Sequence, residues 1–336
     1  KLTRSWSLSY YDELYDRFGT TFDELFFESN IADRGVEIVN NNIGTVFIKD
    51  DGAVIFDGEK YGLHTRVFIT KEGYPTYEAK DIGLAPVQYK SFSFDKNIHV
   101  VGDEQSGYFQ VVFKAMSFLY PDIADKEYHL PMGMVNLKGL KMSSRTGVII
   151  TVDGLLQEIK QELRELVGQT GLEADEQEDM LEKVTLGAVK YSVLKNDPEK
   201  YVLFDLKESI NLNGNSGPYI QYTYARCKSL LSKAGDLTLG EVVVNKSLLM
   251  EELDVLRLLY RFPEIVEDAA KSYKPNLVCA YIFELSQKFN SFYNAVPILT
   301  DNSIESKQFR LALTSAVSQV LKNGLNVLGI QVSERM

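Results

Sequence analysis

Asn97-Ile-His-Val-Val-Gly102-Asp-Glu-Gln105-Ser-Gly-Tyr108-Phe-Gln110 is the stretch on which the fold turns. Its first six residues are apolar and β-branched enough to read as a strand ending at Gly102. The polar run from Glu104 then opens a helix that the apolar spacing carries to Leu119. A strand that passes through a short turn into a helix is the unit of a parallel α/β sheet. Ligands of such sheets gather where the strands end. Gly102 and Gln105 stand at that edge, although a plain polar helix start would carry the same letters.

Upstream, Arg66-Val-Phe-Ile-Thr70 reads as another strand and Pro75 to Lys90 as a helix. Further back, Thr45-Val-Phe-Ile48 and Ala53-Val-Ile-Phe56 flank the turn tripeptide Asp50-Asp51-Gly52, which predicts a hairpin. Downstream of a loop at 137–147 the period changes to helical. Asp153 is a plausible N-cap for a helix with the face Leu155, Ile159, Leu163 and Leu166. Residues 171–183 are strongly acidic and predict a solvated helix face or loop. The last third carries three apolar stripes: Leu249, Leu253, Leu256, Tyr260; Leu277, Tyr281, Leu285, Phe292; Phe309, Leu313, Ala316, Val320. Stripes of this kind favour a helical bundle. The expected order is therefore α/β followed by all-α, with a boundary near residue 205.

The 336 residues are enough for two domains, and 45% hydrophobic with 25% charged residues is globular usage. Lys and Arg number 36 against 47 Asp and Glu, a net charge of -11 that argues against general affinity for nucleic acid. Any RNA contact needs a local basic or polar patch. Cys227 and Cys279 are too few and too far apart for a zinc site, so no protein-bound metal is expected. No apolar run approaches the ~18 residues of a membrane span, which leads to the expectation of a cytoplasmic chain with no membrane partner. The chain begins at Lys1, inside an aromatic-rich stretch, and is read as part of a longer protein.

Gly139-Leu-Lys141-Met142-Ser143-Ser144-Arg145-Thr-Gly147 combines flanking glycines, two cations and two hydroxyls. Such a loop suits polyphosphate, because cations offset charge on a leaving pyrophosphate and glycines allow close approach. Spacing alone leaves a basic surface turn open as well. Tyr77 and Asp81, at i and i+4, share one helix face. A carboxylate beside a phenol is shaped for a guanidinium fork, though a solvated Asp beside a core Tyr fits the pattern too.

Lys141 to Arg145 closely resembles the second signature loop of class I aminoacyl-tRNA synthetases, and its run into Thr151-Val-Asp-Gly-Leu-Leu156 resembles the arginyl-tRNA synthetase branch. The fifth position is Arg145 where the general motif has Ser, a departure the arginyl branch shares. Two further segments match. Thr76 to Gly83 resembles the family's arginine-recognising helix, and Asn213 to Arg226 resembles the entrance to its anticodon-binding domain.

The resemblance implies the second half of a Rossmann-like catalytic domain with an insertion over 1–135. The signature loop and connecting helices would follow over 136–205, and a helical-bundle anticodon-binding domain over 206–336. It implies catalytic roles for Lys141, Ser143 and Ser144, and an ATP site of Lys141, Met142, Ser143 and Gly102, with Mg2+ entering on the nucleotide. Tyr77, Asp81 and Gln105 would bind L-arginine. Tyr219, Arg226, Tyr293, Arg335 and Met336 would contact tRNA(Arg), although a stripe aromatic such as Tyr293 fits a core role equally well.

The family's His-x-Gly-His ATP loop has no match around His64, His99 or His129, so this stretch alone is expected to be inactive, with that loop encoded upstream. The implied whole is a monomeric, ATP-dependent arginine–tRNA ligase of protein biosynthesis. The alternative is a tRNA-binding or regulatory paralogue without activity, which intact Lys141, Tyr77 and Asp81 disfavour. A cysteinyl enzyme would need a zinc thiolate site that two distant cysteines do not supply.

Overall fold

A computed structural model describes residues 2–138, 151–167, 171–235 and 247–336. These residues form two compact units, Thr20–Met134 and a second made of the first 19 residues with Val135–Met336.

Helix α1 (Leu2–Phe18) belongs to the second unit. The first unit opens with α2 (Glu28–Asn41), followed by β1 (Ile48–Asp50), β2 (Ala53–Phe56) and β3 (Arg66–Ile69) as an antiparallel sheet in that order. The β1–β2 turn places Asp51 at φ 43° and Gly52 at φ 84°. Two successive left-handed residues suit the twist of a two-residue hairpin. Of the predicted strand Thr45–Ile48 only Ile48 joins the sheet, while Phe47 forms an isolated bridge with Ile43. The amides of Thr45, Val46 and Phe47 instead converge on the Asn42 carbonyl, and Phe47 is driven into the core against Phe56 and Phe68.

Helix α3 (Tyr77–Phe92) starts two residues later than predicted. Pro75 is bridged to Ile69, and the Thr76 hydroxyl donates to Val67 O at 2.8 Å, holding both residues in extended backbone. A Cβ on Gly35 of α2 would lie 2.1 Å from Ala79 O, so only glycine lets the α2 and α3 backbones meet this closely. Strand β4 (Asn97–Gly102) leads through a short turn into α4 (Ser106–Leu119) and α5 (Pro121–Ala124). It then pairs in parallel with β5 (Glu127–Met132), from Asn97 opposite Glu127 to Gly102 opposite Met132. This is the strand–helix–strand unit that the opening stretch implied.

In the second unit β6 (Val135–Leu137) precedes α6 (Val152–Val167) and α7 (Ala174–Leu194). The cap of α6 is not Asp153: the Thr151 hydroxyl accepts the Gly154 amide at 3.1 Å. Asp153 instead accepts from the Tyr10 hydroxyl and pairs with Arg17. The buried face is Leu156, Ile159 and Leu163, while Leu166 is exposed, because α7 covers the earlier turns.

The acidic run beginning at 171 is more than a solvated face. Glu178 pairs with Lys160 and Arg164, and Glu182 pairs with Arg17 at 2.7 Å and Lys160 at 2.8 Å, tying α1, α6 and α7 together. Burial pushes the Glu182 carboxyl up, but the hydrogen bonds from Arg17 and Lys160 outweigh it and hold the group below its ordinary 4.5. A carboxylate held low when folded stabilises above the unfolded value, and that stability is lost as pH falls through the folded one. Glu182→Gln is thus expected to cost ~1–2 kcal/mol at pH 7. Urea melts of the two proteins should converge as the pH is taken well below 4.5, and a gap that persists once the carboxyl is protonated would rule out the ion pairs as its source.

β7 (Val202–Phe204) pairs in parallel with β6 and leads through α8 (Leu206–Ser209) to α9 (Gly217–Lys233), α10 (Met250–Ser272), α11 (Pro275–Ala295) and α12 (Ile304–Val327). Helix α9 begins as Gly217-Pro218 predicts, with the Ser216 hydroxyl accepting the Tyr219 amide. The α10 stripe is rotated from its predicted phase. Val255, Leu258 and even Glu252 face inward, whereas Leu249 is exposed and Tyr260 is 88% exposed. In α11 Tyr281, Leu285 and Phe292 are buried as expected, but Leu277, in the first turn, is exposed. In α12 the inward position is Val317, not Ala316.

The bundle core also reaches across residue 205. Tyr191 of α7 lies within it and donates to Cys279 O, Gln221 of α9 donates to Lys183 O and Gln331 O, and a Cβ on Gly217 would sit 2.3 Å from Gly187 O.

Candidate functional site

In the first unit the polar centre is Asp81 on the inner side of α3. It is half-buried and accepts a 2.6 Å hydrogen bond from the Tyr108 hydroxyl of α4. Burial pushes the Asp81 carboxyl above its ordinary value, opposed by the Tyr108 bond and by His99, and Glu78 and Glu28 push it further up. His99 is fixed across the parallel pair, its Nε2 2.5 Å from Glu127 Oε2. The charges around Asp81 are partnered unevenly. Glu28 holds Lys80 at 2.6 Å and Glu78 holds Arg66 at 3.1 Å, while the hydrogen-bond partner of Asp81 is a neutral phenol. Of these three carboxylates, Asp81 is the one not joined to a Lys or Arg among the described residues, and so the one best placed to take a planar cation.

The other expected arginine ligands lie further out. Tyr77 shares the α3 face but is 67% exposed, with Lys80 Nζ 4.8 Å over its ring. Gln105 is exposed in the turn after β4, and no hydrogen bond among the described residues joins either side chain to Asp81. Gly102 ends β4, and the space a Cβ would take there is filled by the Glu104 carboxylate at 2.5 Å. Lys141, Met142, Ser143 and Ser144 lie outside the described residues. Tyr108, Arg66 and Glu78 were missed, though Tyr108 stands in the opening stretch three residues after Gln105.

A second site, in the helical unit, is a cleft of about 740 Å³. Arg226 of α9 places its guanidinium carbon 5.0 Å from the Tyr222 ring and 5.1 Å from the Tyr293 ring of α11. It also donates to Asn290 Oδ1 at 2.5 Å. Asn290 in turn donates to the Tyr219 hydroxyl and to Thr223, so Tyr219 stands behind the cleft and orients it, without lining it. Lys228, Lys233 and Arg335 complete a cationic rim, with Glu334 beside them paired to Lys228 at 2.9 Å. Met336 lines the cleft and also packs on the α6–α7 core. This is a local basic, aromatic patch on an acidic chain. Two partly exposed phenol rings beside a guanidinium form a platform for an unpaired base. Tyr222 and Asn290 were not singled out from sequence.

Among the described residues no group of His, Cys, Asp and Glu side chains is disposed to hold a metal ion, and no helix is long and apolar enough to cross a membrane.

The α/β unit followed by a helical bundle defines a class I aminoacyl-tRNA synthetase architecture. Residues 2–206 match the model described as tRNA synthetases class I (R), catalytic domain, and residues 220–336 match the DALR anticodon binding domain. The chain belongs to the arginyl-tRNA synthetase family. It is 35% identical over 345 residues to an arginine–tRNA ligase of Bacteroides fragilis, covering 100% of this chain and 58% of that protein. It is 36% identical over 344 residues to one of Flavobacterium psychrophilum, covering 100% and 57%. The solved Thermus thermophilus arginyl-tRNA synthetase superposes with a TM-score of 0.83 at 25% identity, over 96% of this chain and 61% of that one. A Mycobacterium tuberculosis methionyl-tRNA synthetase shares the fold at a TM-score of 0.64 and 10% identity, over 96% and 77%. The chain thus spans somewhat under three fifths of the curated relatives it matches.

Proposed function

We propose that the protein carrying this chain is an arginine–tRNA ligase, which activates L-arginine with ATP and transfers it to tRNA(Arg). The observation that carries this reading is Asp81, a half-buried carboxylate bonded to a neutral phenol and set beside Glu78 and Glu28, which already hold cations. Arginine activation is an in-line displacement at the α-phosphate by the substrate's own carboxylate, so no side-chain nucleophile is needed. Asp81 would receive the guanidinium, with Tyr77 and Gln105 around it. Lys141, Ser143 and Ser144, with Met142 and Gly102 at the nucleotide, would meet the phosphates of ATP, which arrives with its Mg2+. Charge stabilisation of the leaving pyrophosphate is the main contribution asked of that loop.

The aromatic cleft of the helical unit would take the anticodon side of tRNA(Arg), through Arg226, Tyr293, Arg335 and Met336, with Tyr219 orienting Asn290. We place the protein in the cytoplasm as a monomer. The test is ATP–pyrophosphate exchange by the full-length protein, which should require arginine and ignore the other amino acids; equal exchange with lysine would defeat the reading. Tyr293→Ala is expected to weaken tRNA(Arg) binding by ~1–3 kcal/mol, measured by filter binding, since that is the usual worth of one stacked base. Unchanged affinity would make Tyr293 a packing residue.

A further inference from the structure

We propose that Tyr108 is a positioning residue for the carboxylate that receives arginine, orienting Asp81 without spending its charge. The proposal rests on the arginine reading of Asp81 and adds a residue to it.

Three observations carry it. The Tyr108 hydroxyl donates to Asp81 Oδ2 at 2.6 Å, while the ring is buried, edge-on to Phe109 at 5.1 Å and with the Arg66 guanidinium carbon 5.4 Å from its centroid. A donor locked by packing on both sides fixes the otherwise broad carboxylate torsion. Next, burial and the neighbouring Asp81 push the Tyr108 phenol far above its ordinary range, so it stays a neutral donor. Finally, Glu78, one turn earlier on α3, is oriented by a cation, Arg66, at 3.1 Å. The two carboxylates are thus held by different chemistry. Glu78 is held by a positive charge and has little left for a ligand, whereas Asp81 is held by the dipole of a neutral phenol. Tyr108 occupies one lone pair of Oδ2 and leaves Oδ1 and the other lone pair of Oδ2 for the two parallel N–H groups of a guanidinium fork.

The experiment compares Tyr108→Phe, Asp81→Asn and the double variant in the full-length protein by arginine-dependent pyrophosphate exchange, with thermal melting to confirm folding. Tyr108→Phe keeps the buried ring. It is expected to raise KM for arginine about tenfold, with kcat and KM for ATP within twofold of wild type, and to add nothing on the Asp81→Asn background. A Tyr108→Phe protein with unchanged arginine KM beside a weakened Asp81→Asn would overturn the proposal and leave the arginine reading standing. Joint damage to kcat and both KM values, or full additivity with Asp81→Asn, would also overturn it, since either is the mark of general loss of packing. If Asp81→Asn itself leaves arginine KM unchanged, the arginine reading fails and the proposal with it.

Discussion

Asp81→Asn is expected to raise KM for arginine by more than tenfold in the full-length protein, corresponding to at least ~1.5 kcal/mol. The substitution keeps size and shape but replaces a charge-assisted, bidentate acceptor by a neutral amide whose NH2 opposes the guanidinium. It also leaves the Tyr108 hydroxyl beside an amide, so part of the loss comes from a disturbed hydrogen bond inside the unit. Nearby carboxylates cannot stand in, because Glu78 and Glu28 are already joined to Arg66 and Lys80. Steady-state exchange kinetics read the effect directly, and an unchanged arginine KM would remove Asp81 from the specificity pocket. Lys141→Ala, in contrast, is expected to slow adenylate formation with little change in arginine KM, because its proposed partner is phosphate.

Glu252→Ala should destabilise the helical unit by ~3 kcal/mol. Its side chain is 0% exposed and that of Arg310 5%, with Arg310 Nε 2.8 Å from Glu252 Oε1. Removing the acid strands a buried guanidinium, and the usual cost of breaking such a pair is ~3–5 kcal/mol. The lower end applies because Arg310 keeps Asp301 at 2.5 Å and Pro297 O at 2.7 Å. Replacing both partners by apolar residues, Glu252→Met with Arg310→Leu, should recover part of the loss, since neither buried charge of the pair then remains, while Asp301 loses Arg310 and the Leu249 amide loses its Glu252 acceptor. Urea denaturation decides the matter: a single variant that melts with the wild type would mean that water reaches Arg310.

This pair also explains where the sequence reading of α10 failed. Hydropathy scores Glu252 as a surface residue and Tyr260 as a core residue, so the predicted stripe ran through Leu249, Leu253, Leu256 and Tyr260. The partner that draws Glu252 inward lies 58 residues away on α12, and no local pattern contains it. The same physics moved the α6 cap from Asp153 to Thr151, because Arg17 and Tyr10 claim the Asp153 carboxylate from a distant helix.

Periodicity and turn chemistry were sufficient for the hairpin at Asp51-Gly52, the strand–helix passage at 97–119 and the Gly217-Pro218 helix start. Each depends on interactions within a few residues, which the chain carries wherever it goes. The letters at 139–147, with those at 76–83 and 213–226, pointed to the family by resemblance, whereas the Tyr77–Asp81 spacing by itself fixes only a shared helix face. What tertiary structure alone decided is which polar groups are already spent. Glu28, Glu78, Glu182 and Glu252 look alike in sequence to Asp81, and only the folded arrangement assigns each of them a cation and leaves Asp81 with a phenol. The Arg226 platform has the same origin: Tyr222 lies one helical turn away, but Tyr293 and Asn290 come from a helix more than sixty residues on. Charge compensation is a sum over neighbours in space, and the order of residues along the chain does not contain it.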